Sequence, residues 1–142
     1  MRYYPVTLDD GTLRQLPSVT TVLDVTMPLD QRSRLTQAEV KDPFKTAQKR
    51  QAAQQRGDFV HRYASSYLAG KRMGYGQYGA WLKHLDPFLK SIANAPALTT
   101  DGFVYSLRDG FAGTYDLTYR ANGLTLVDVK TTDFKVFPEA LE

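Results

Sequence analysis

Apolar residues recur along this chain with two different periods. Between Phe44 and Ala69, Ala53, Val60, Ala64, Tyr67 and Leu68 return at helical spacing, and Gly57 is the one Gly or Pro before the end of the stretch. That pattern predicts a single long amphipathic helix. Trp81, Leu85, Phe88, Leu89 and Ile92 mark the apolar stripe of a second helix over roughly Gln77 to Asn94. A shorter helix is expected from Val19, capped by Ser18 or Thr20. The period falls to two in the last third of the chain. Leu98 to Ser106, Phe111 to Arg120 and Leu124 to Thr131 are rich in Thr, Tyr, Val and Leu and read as three strands. Tyr3 and Tyr4 open a short N-terminal strand or arm, and Asp10-Gly11 marks a turn. The segment Gly70 to Gly79 holds four of the ten glycines and is the expected mobile connection.

These elements predict an α/β (α+β) fold, with helices first and then a mainly antiparallel three-stranded sheet packed against the long helix. With 142 residues, 42% of them hydrophobic and 12% aromatic, the chain suits a single domain, 1–142, with one sizeable core. It holds no apolar run able to span a bilayer and opens on no signal-peptide pattern, so no membrane partner is expected. Cysteine is absent, which fits a cytoplasmic protein and excludes a Cys-bound zinc.

Net charge is +3, unevenly spread: residues 1–94 carry 14 Lys and Arg against 8 Asp and Glu, whereas residues 95–142 carry 4 against 7. Lys41, Lys45 and Lys49 recur every fourth residue as a stripe on one helix face, joined by Arg50, Arg56 and Arg62. Such a stripe tracks phosphates, and its plain counterpart is a solvated helix face. Tyr75 and Tyr78, near the glycine-rich connection, are candidates for stacking on unpaired bases.

The candidate chemistry lies in the last two strands. Asp116 sits on one, and Asp128-Val129-Lys130 on the next. Two carboxylates supply hard oxygen ligands for a divalent cation, and an ammonium orients a water or offsets phosphate charge. Alternation puts Asp128 and Lys130 on one face, and Val127 and Val129 on the other. A two-residue Asn122-Gly123 turn would send the carboxylates to opposite faces. A three-residue loop, Ala121-Asn122-Gly123 with positive φ at Gly123, pairs Arg120 with Leu124 and sets Asp116 across from Asp128. The three-residue loop, or an equivalent bulge, is the expectation. Upstream, Arg56-Gly57 and His61 lie one turn apart inside the long helix. A mid-helix glycine costs about 0.5–1 kcal/mol relative to Ala, so Gly57 is expected to serve close packing or access.

Four blocks, taken in order, carry a resemblance. They are Pro17 to Leu23 with Thr26-Met27-Pro28, Arg56-Gly57 through His61, Asp101 through Ser106, and Gly113 to Asp116 with Asp128 to Thr131. Together they resemble the RecB-like exonuclease branch of the PD-(D/E)XK nuclease superfamily, the group of the mitochondrial genome maintenance exonuclease and its bacterial and phage relatives. The resemblance implies a restriction-endonuclease-like core and a metal-dependent exonuclease acting on single-stranded DNA with a free end, with Mg²⁺ or Mn²⁺ as cofactor. It makes Asp116 and Asp128 metal-binding acids and the Val129 carbonyl a further ligand. Lys130 becomes the lysine that positions the attacking water, and His61 a ligand or near neighbour of the metal. Asp101 falls where relatives carry Glu and is a helper acid. The group follows its Asp-x-Lys strand with a helix bearing Gln and Tyr, whereas this sequence ends at Glu142, twelve residues past Lys130. A truncated core, or one completed by a partner, is therefore expected. The competing expectation is a non-catalytic nucleic-acid-binding or assembly module on the same fold.

Overall fold

The structure is a computed structural model, and it describes residues 1–132. The fold is α+β, and its chain forms two compact units, Met1–Pro43 with Asp101–Tyr115, and Phe44–Thr100 with the residues from Asp116 onward.

In the first unit, β1 (Tyr3–Thr7) and β2 (Leu13–Pro17) form an antiparallel hairpin with Tyr3 opposite Pro17 and Val6 opposite Arg14. Its turn is the expected Asp10-Gly11. Gly11 takes φ +79°, a conformation open to glycine, and Asp10 accepts the Thr12 amide at 2.8 Å. Alternation along the hairpin points Val6 and Leu16 inward, onto Ala112. Helix α1 (Val19–Thr26) starts at Ser18, whose Oγ accepts the Thr21 amide at 3.0 Å. Ser18 and Thr21 are buried but satisfied. Ser18 Oγ donates to Thr21 Oγ1, which donates to the Arg2 carbonyl and accepts the Arg2 amide, and this ties the N-terminal strand to the helix cap.

Helix α2 spans Leu29–Lys41, a segment whose apolar residues follow no period that singles it out in the sequence. It ends at Lys41, and Asp42 leaves helical geometry with φ −152°. The expected stripe is therefore broken: Lys41 closes α2, while Lys45 and Lys49 stand exposed on the next helix.

The second unit is built on α3 (Pro43–Leu68), which opens on a proline at its first position, and on α4 (Gly79–Ile92), entered through a 3₁₀ turn at Gly76–Tyr78. Val60, Tyr63 and Ala64 of α3 and Leu82, Leu89 and Ile92 of α4 form the core with Leu117 and Val129. The segment expected to be a mobile connection is tied down by side chains. Tyr75 Oη and Tyr63 Oη both donate to the Asp86 carboxylate, the latter at 2.7 Å.

Strands β3 (Thr99–Ser106), β4 (Phe111–Arg120) and β5 (Leu124–Val127) form an antiparallel three-stranded sheet in chain order. On β3, Gly102 leaves room that the Tyr115 ring fills, since a Cβ there would fall 1.9 Å from the ring. Arg120 pairs with Leu124 and Leu117 with Val127, so the three-residue connection is the one the hairpin uses. Gly123 does not take positive φ, however, and the Ala121 amide instead donates to the Gly123 carbonyl at 3.0 Å. β5 is also shorter than expected, and Asp128, Val129 and Lys130 lie past its last paired residue.

Candidate metal and nucleic-acid site

Leu117 is buried on the inner face of β4 and Val127 packs opposite it, so the pleat turns Asp116, Asp128 and Lys130 to the other face of the pair. Extending the observed register by one residue sets Asp116 across from Asp128. The two carboxylates nevertheless find different partners. Asp116 Oδ2 accepts the Val129 amide at 2.5 Å, and its Oδ1 lies 3.0 Å from His61 Nδ1. His61 Nε2 lies 2.7 Å from the Val129 carbonyl. Asp116, His61 and Val129 thus close a ring of three contacts that uses both carboxylate oxygens, both ring nitrogens and both polar groups of one peptide residue.

Helix α3 explains how the histidine arrives. Val60 and Ala64, one turn apart, hold the buried stripe of the helix, and His61, the next residue round, projects from the border of that stripe toward the end of β5. A carbonyl accepts only, so Nε2 carries a hydrogen in this arrangement. Nδ1 then faces the Asp116 carboxylate at 3.0 Å. One turn earlier, a Cβ added to Gly57 would meet nothing within 4 Å, so close packing among the described residues does not require that glycine.

Asp128 and Lys130 pair with each other. Lys130 Nζ lies 3.0 Å from one carboxylate oxygen and 2.9 Å from the other, and both side chains are largely exposed, at 60% for Asp128 and 79% for Lys130. Lys130, Val129 and Thr132 also border a cavity of about 280 Å³ with Trp81 and His84. Trp81 Nε1 donates to the Thr132 carbonyl at 2.8 Å, so α4 reaches the segment that follows Lys130.

The donors that meet around His61 are one carboxylate, one imidazole and one backbone carbonyl. Among the described residues no group of three or more His, Cys, Asp or Glu side chains is placed to hold an ion. The oxygens of Asp116 and of the Val129 carbonyl are of the hard type, and each meets a partner within the protein, Asp116 the Val129 amide and His61, and the carbonyl His61. Asp101 belongs to the first unit, exposed on β3 with φ +53°, a left-handed conformation that Asp tolerates better than most residues.

Of the expected nucleic-acid contacts, Lys45 and Lys49 stand exposed on α3. The Arg56 guanidinium lies over the Trp81 ring at 4.9 Å. Tyr78 meets Trp81 edge-on at 6.2 Å, whereas Tyr75 packs edge-on against Tyr63 at 5.7 Å with its hydroxyl on Asp86. The helical period accounts for Trp81 only as part of the α4 core stripe. No spacing in the sequence pairs it with Arg56 or with the strand end. The described residues of the second unit carry eleven Lys and Arg against four Asp, whereas those of the first carry six against eight acids.

No match was found among protein-family models, curated proteins or solved structures. Among the described residues no helix is long and apolar enough to cross a membrane.

Proposed function

We propose that this protein is a divalent-metal-dependent nuclease that hydrolyses phosphodiester bonds in DNA, with single-stranded DNA bearing a free end as its substrate. One observation carries the reading: His61, 68 residues before Val129 in the chain, meets both the Val129 carbonyl and the Asp116 carboxylate. The resemblance implies one purpose for these groups, and a long helix and a strand end bring them within hydrogen-bond distance. The same two contacts also tie the helix to the strand end, so metal dependence is what separates the readings.

In this reading Asp116, Asp128 and the Val129 carbonyl would hold Mg²⁺ or Mn²⁺, with His61 beside them. The ion supplies Lewis acidity toward a scissile phosphate and toward a water. Lys130 offsets phosphate charge and orients the attacking water. His61 steadies the Val129 peptide and the Asp116 carboxylate, so the strand end presents its oxygens in a fixed order. The basic surface of the second unit draws in the polyanion, and the affinity it adds falls with salt.

A second reading is favoured by the Asp128–Lys130 pair and the closed Asp116–His61–Val129 ring, in which the donors satisfy one another without an ion. It is a nucleic-acid-binding or assembly module that has kept the site without its chemistry. Degradation of end-labelled single-stranded DNA in Mn²⁺ or Mg²⁺ separates the two. The nuclease reading expects loss of label that EDTA and Asp128→Ala each abolish. Binding without cleavage, unchanged in Asp128→Ala, would establish the module.

A further inference from the structure

Five side chains of the second unit form a continuous ridge of cations and rings. The Arg62 guanidinium lies 5.6 Å from the Phe59 centroid, Phe59 and Tyr78 are 5.0 Å apart at 50°, Tyr78 and Trp81 are 6.2 Å apart at 68°, and Arg56 caps Trp81 at 4.9 Å. Gln77 Nε2 donates to Tyr78 Oη at 2.9 Å and holds that ring in place. A concavity opens on each side of Tyr78. One, of about 280 Å³, is bordered by Gln55, Arg56 and Trp81, and the other, of about 450 Å³, by Asp58, Phe59 and Arg62.

Neither arginine is engaged by an acid among the described residues. Both rest on ring faces, and Arg56 Nε is buried with no acceptor in the described structure. A guanidinium lying flat on an aromatic ring has two uses at once. Its outer face takes a nucleobase in a stack, and its edge N–H groups take phosphate oxygens. Gln55 and Gln77 border both concavities, and a side-chain amide is able to bond base edges of any sequence. Bases inside a duplex offer no open face to such a ridge, whereas unpaired bases do.

The ridge also leads to the candidate site, because Trp81 donates to the carbonyl of Thr132, two residues after Lys130. We propose that Arg56, Arg62, Tyr78 and Trp81 form a metal-independent track for unpaired nucleotides, with phosphates on the arginines and bases in the two concavities. This inference rests on the nucleic-acid reading above and adds the place where the strand lies and the groups that read it.

Trp81 is the chain's single tryptophan, so its fluorescence reports on the track directly. The experiment titrates the full chain, in EDTA, with a short oligothymidylate, with the matching blunt duplex, and with heparin. Saturable quenching by the single strand is expected, with weaker quenching by the other two. Tyr78→Leu is expected to weaken single-strand binding about tenfold, in line with about 1–3 kcal/mol per stacked base. Arg56→Gln should lower the slope of log affinity against log salt by about 0.7, the loss of one phosphate contact on a single strand. Circular dichroism checks that both variants fold, and Arg62→Gln repeats the salt test without touching the Tyr78–Trp81 contact. No quenching by the single strand, equal quenching by duplex or heparin, or unchanged affinity in folded variants would overturn the track. Cleavage in Mn²⁺ is read in parallel. Quenching without cleavage removes the nuclease and leaves the track, and cleavage without quenching does the reverse.

Discussion

His61 Nδ1 lies 3.0 Å from Asp116 Oδ1, and the other ring nitrogen reaches the Val129 carbonyl at 2.7 Å. The histidine therefore joins the helix that carries the core to the end of β5. Truncating it strands two partners: a half-buried carboxylate keeps only the Val129 amide, and the Val129 carbonyl loses its donor. His61→Ala is expected to lower stability by about 1–3 kcal/mol, read by urea unfolding in EDTA. No change would show that water replaces the imidazole at no cost.

Binding of an ion has a thermal signature separate from catalysis. If Asp116, Asp128 and the Val129 carbonyl hold Mn²⁺, the melting temperature rises with Mn²⁺, by the equivalent of about 2.7 kcal/mol at a hundredfold excess over the dissociation constant. Asp128→Ala should flatten that response. Equal responses in the two proteins would place the ion elsewhere.

Tyr63 and Tyr75 share the Asp86 carboxylate. Burial, then the bond and charge of Asp86, push the Tyr63 phenol well above its ordinary 10.0, and the bond to Asp86 raises Tyr75 as well. Both folded-state values are raised, so the stability they contribute is complete below the ordinary phenol range and is lost as pH rises above it. Alkaline titration followed by phenolate absorbance should show two of the nine tyrosines ionising late, together with unfolding. Asp86→Ala should bring that loss to lower pH.

Gly57 faces open space at the position a Cβ would take. Gly57→Ala is therefore expected to stabilise the protein by about 0.5–1 kcal/mol through helix propensity, with nucleic-acid binding unchanged. Loss of stability in a thermal melt would mean that the site does need the glycine.

Ser18 caps α1 and donates into the Thr21 and Arg2 network. Ser18→Ala removes the cap and should cost about 1–2 kcal/mol by chemical denaturation. Ser18→Asp, which keeps an acceptor for the Thr21 amide but introduces charge where the hydroxyl is buried, should not restore it.

Much of the fold was legible in the sequence where its signals are local. The α3 stripe at Val60 and Ala64 has the helical period. Arg120 and Leu124 follow from the requirement that Asp116 and Asp128 share a face. The cap at Ser18 is a matter of residue type. What escaped depends on side chains far apart in the chain. β5 stops at Val127, and the Val129 amide goes to a carboxylate instead of the ladder. Lys41 leaves the expected stripe because Asp42 breaks the helix, and Trp81 acquires a second role through Arg56 and Thr132. The positive φ expected at Gly123 is absent, and the loop closes through the Ala121 amide on the Gly123 carbonyl.

The Val129 amide has two claimants. It donates to Asp116 where β5 has already ended at Val127, and a β5 paired as far as Val129 would draw that hydrogen into the ladder and release a carboxylate oxygen. Strand length and the number of lone pairs open on Asp116 are thus one variable. Whatever zips this edge as far as Val129 would also leave one oxygen of Asp116 open to another partner.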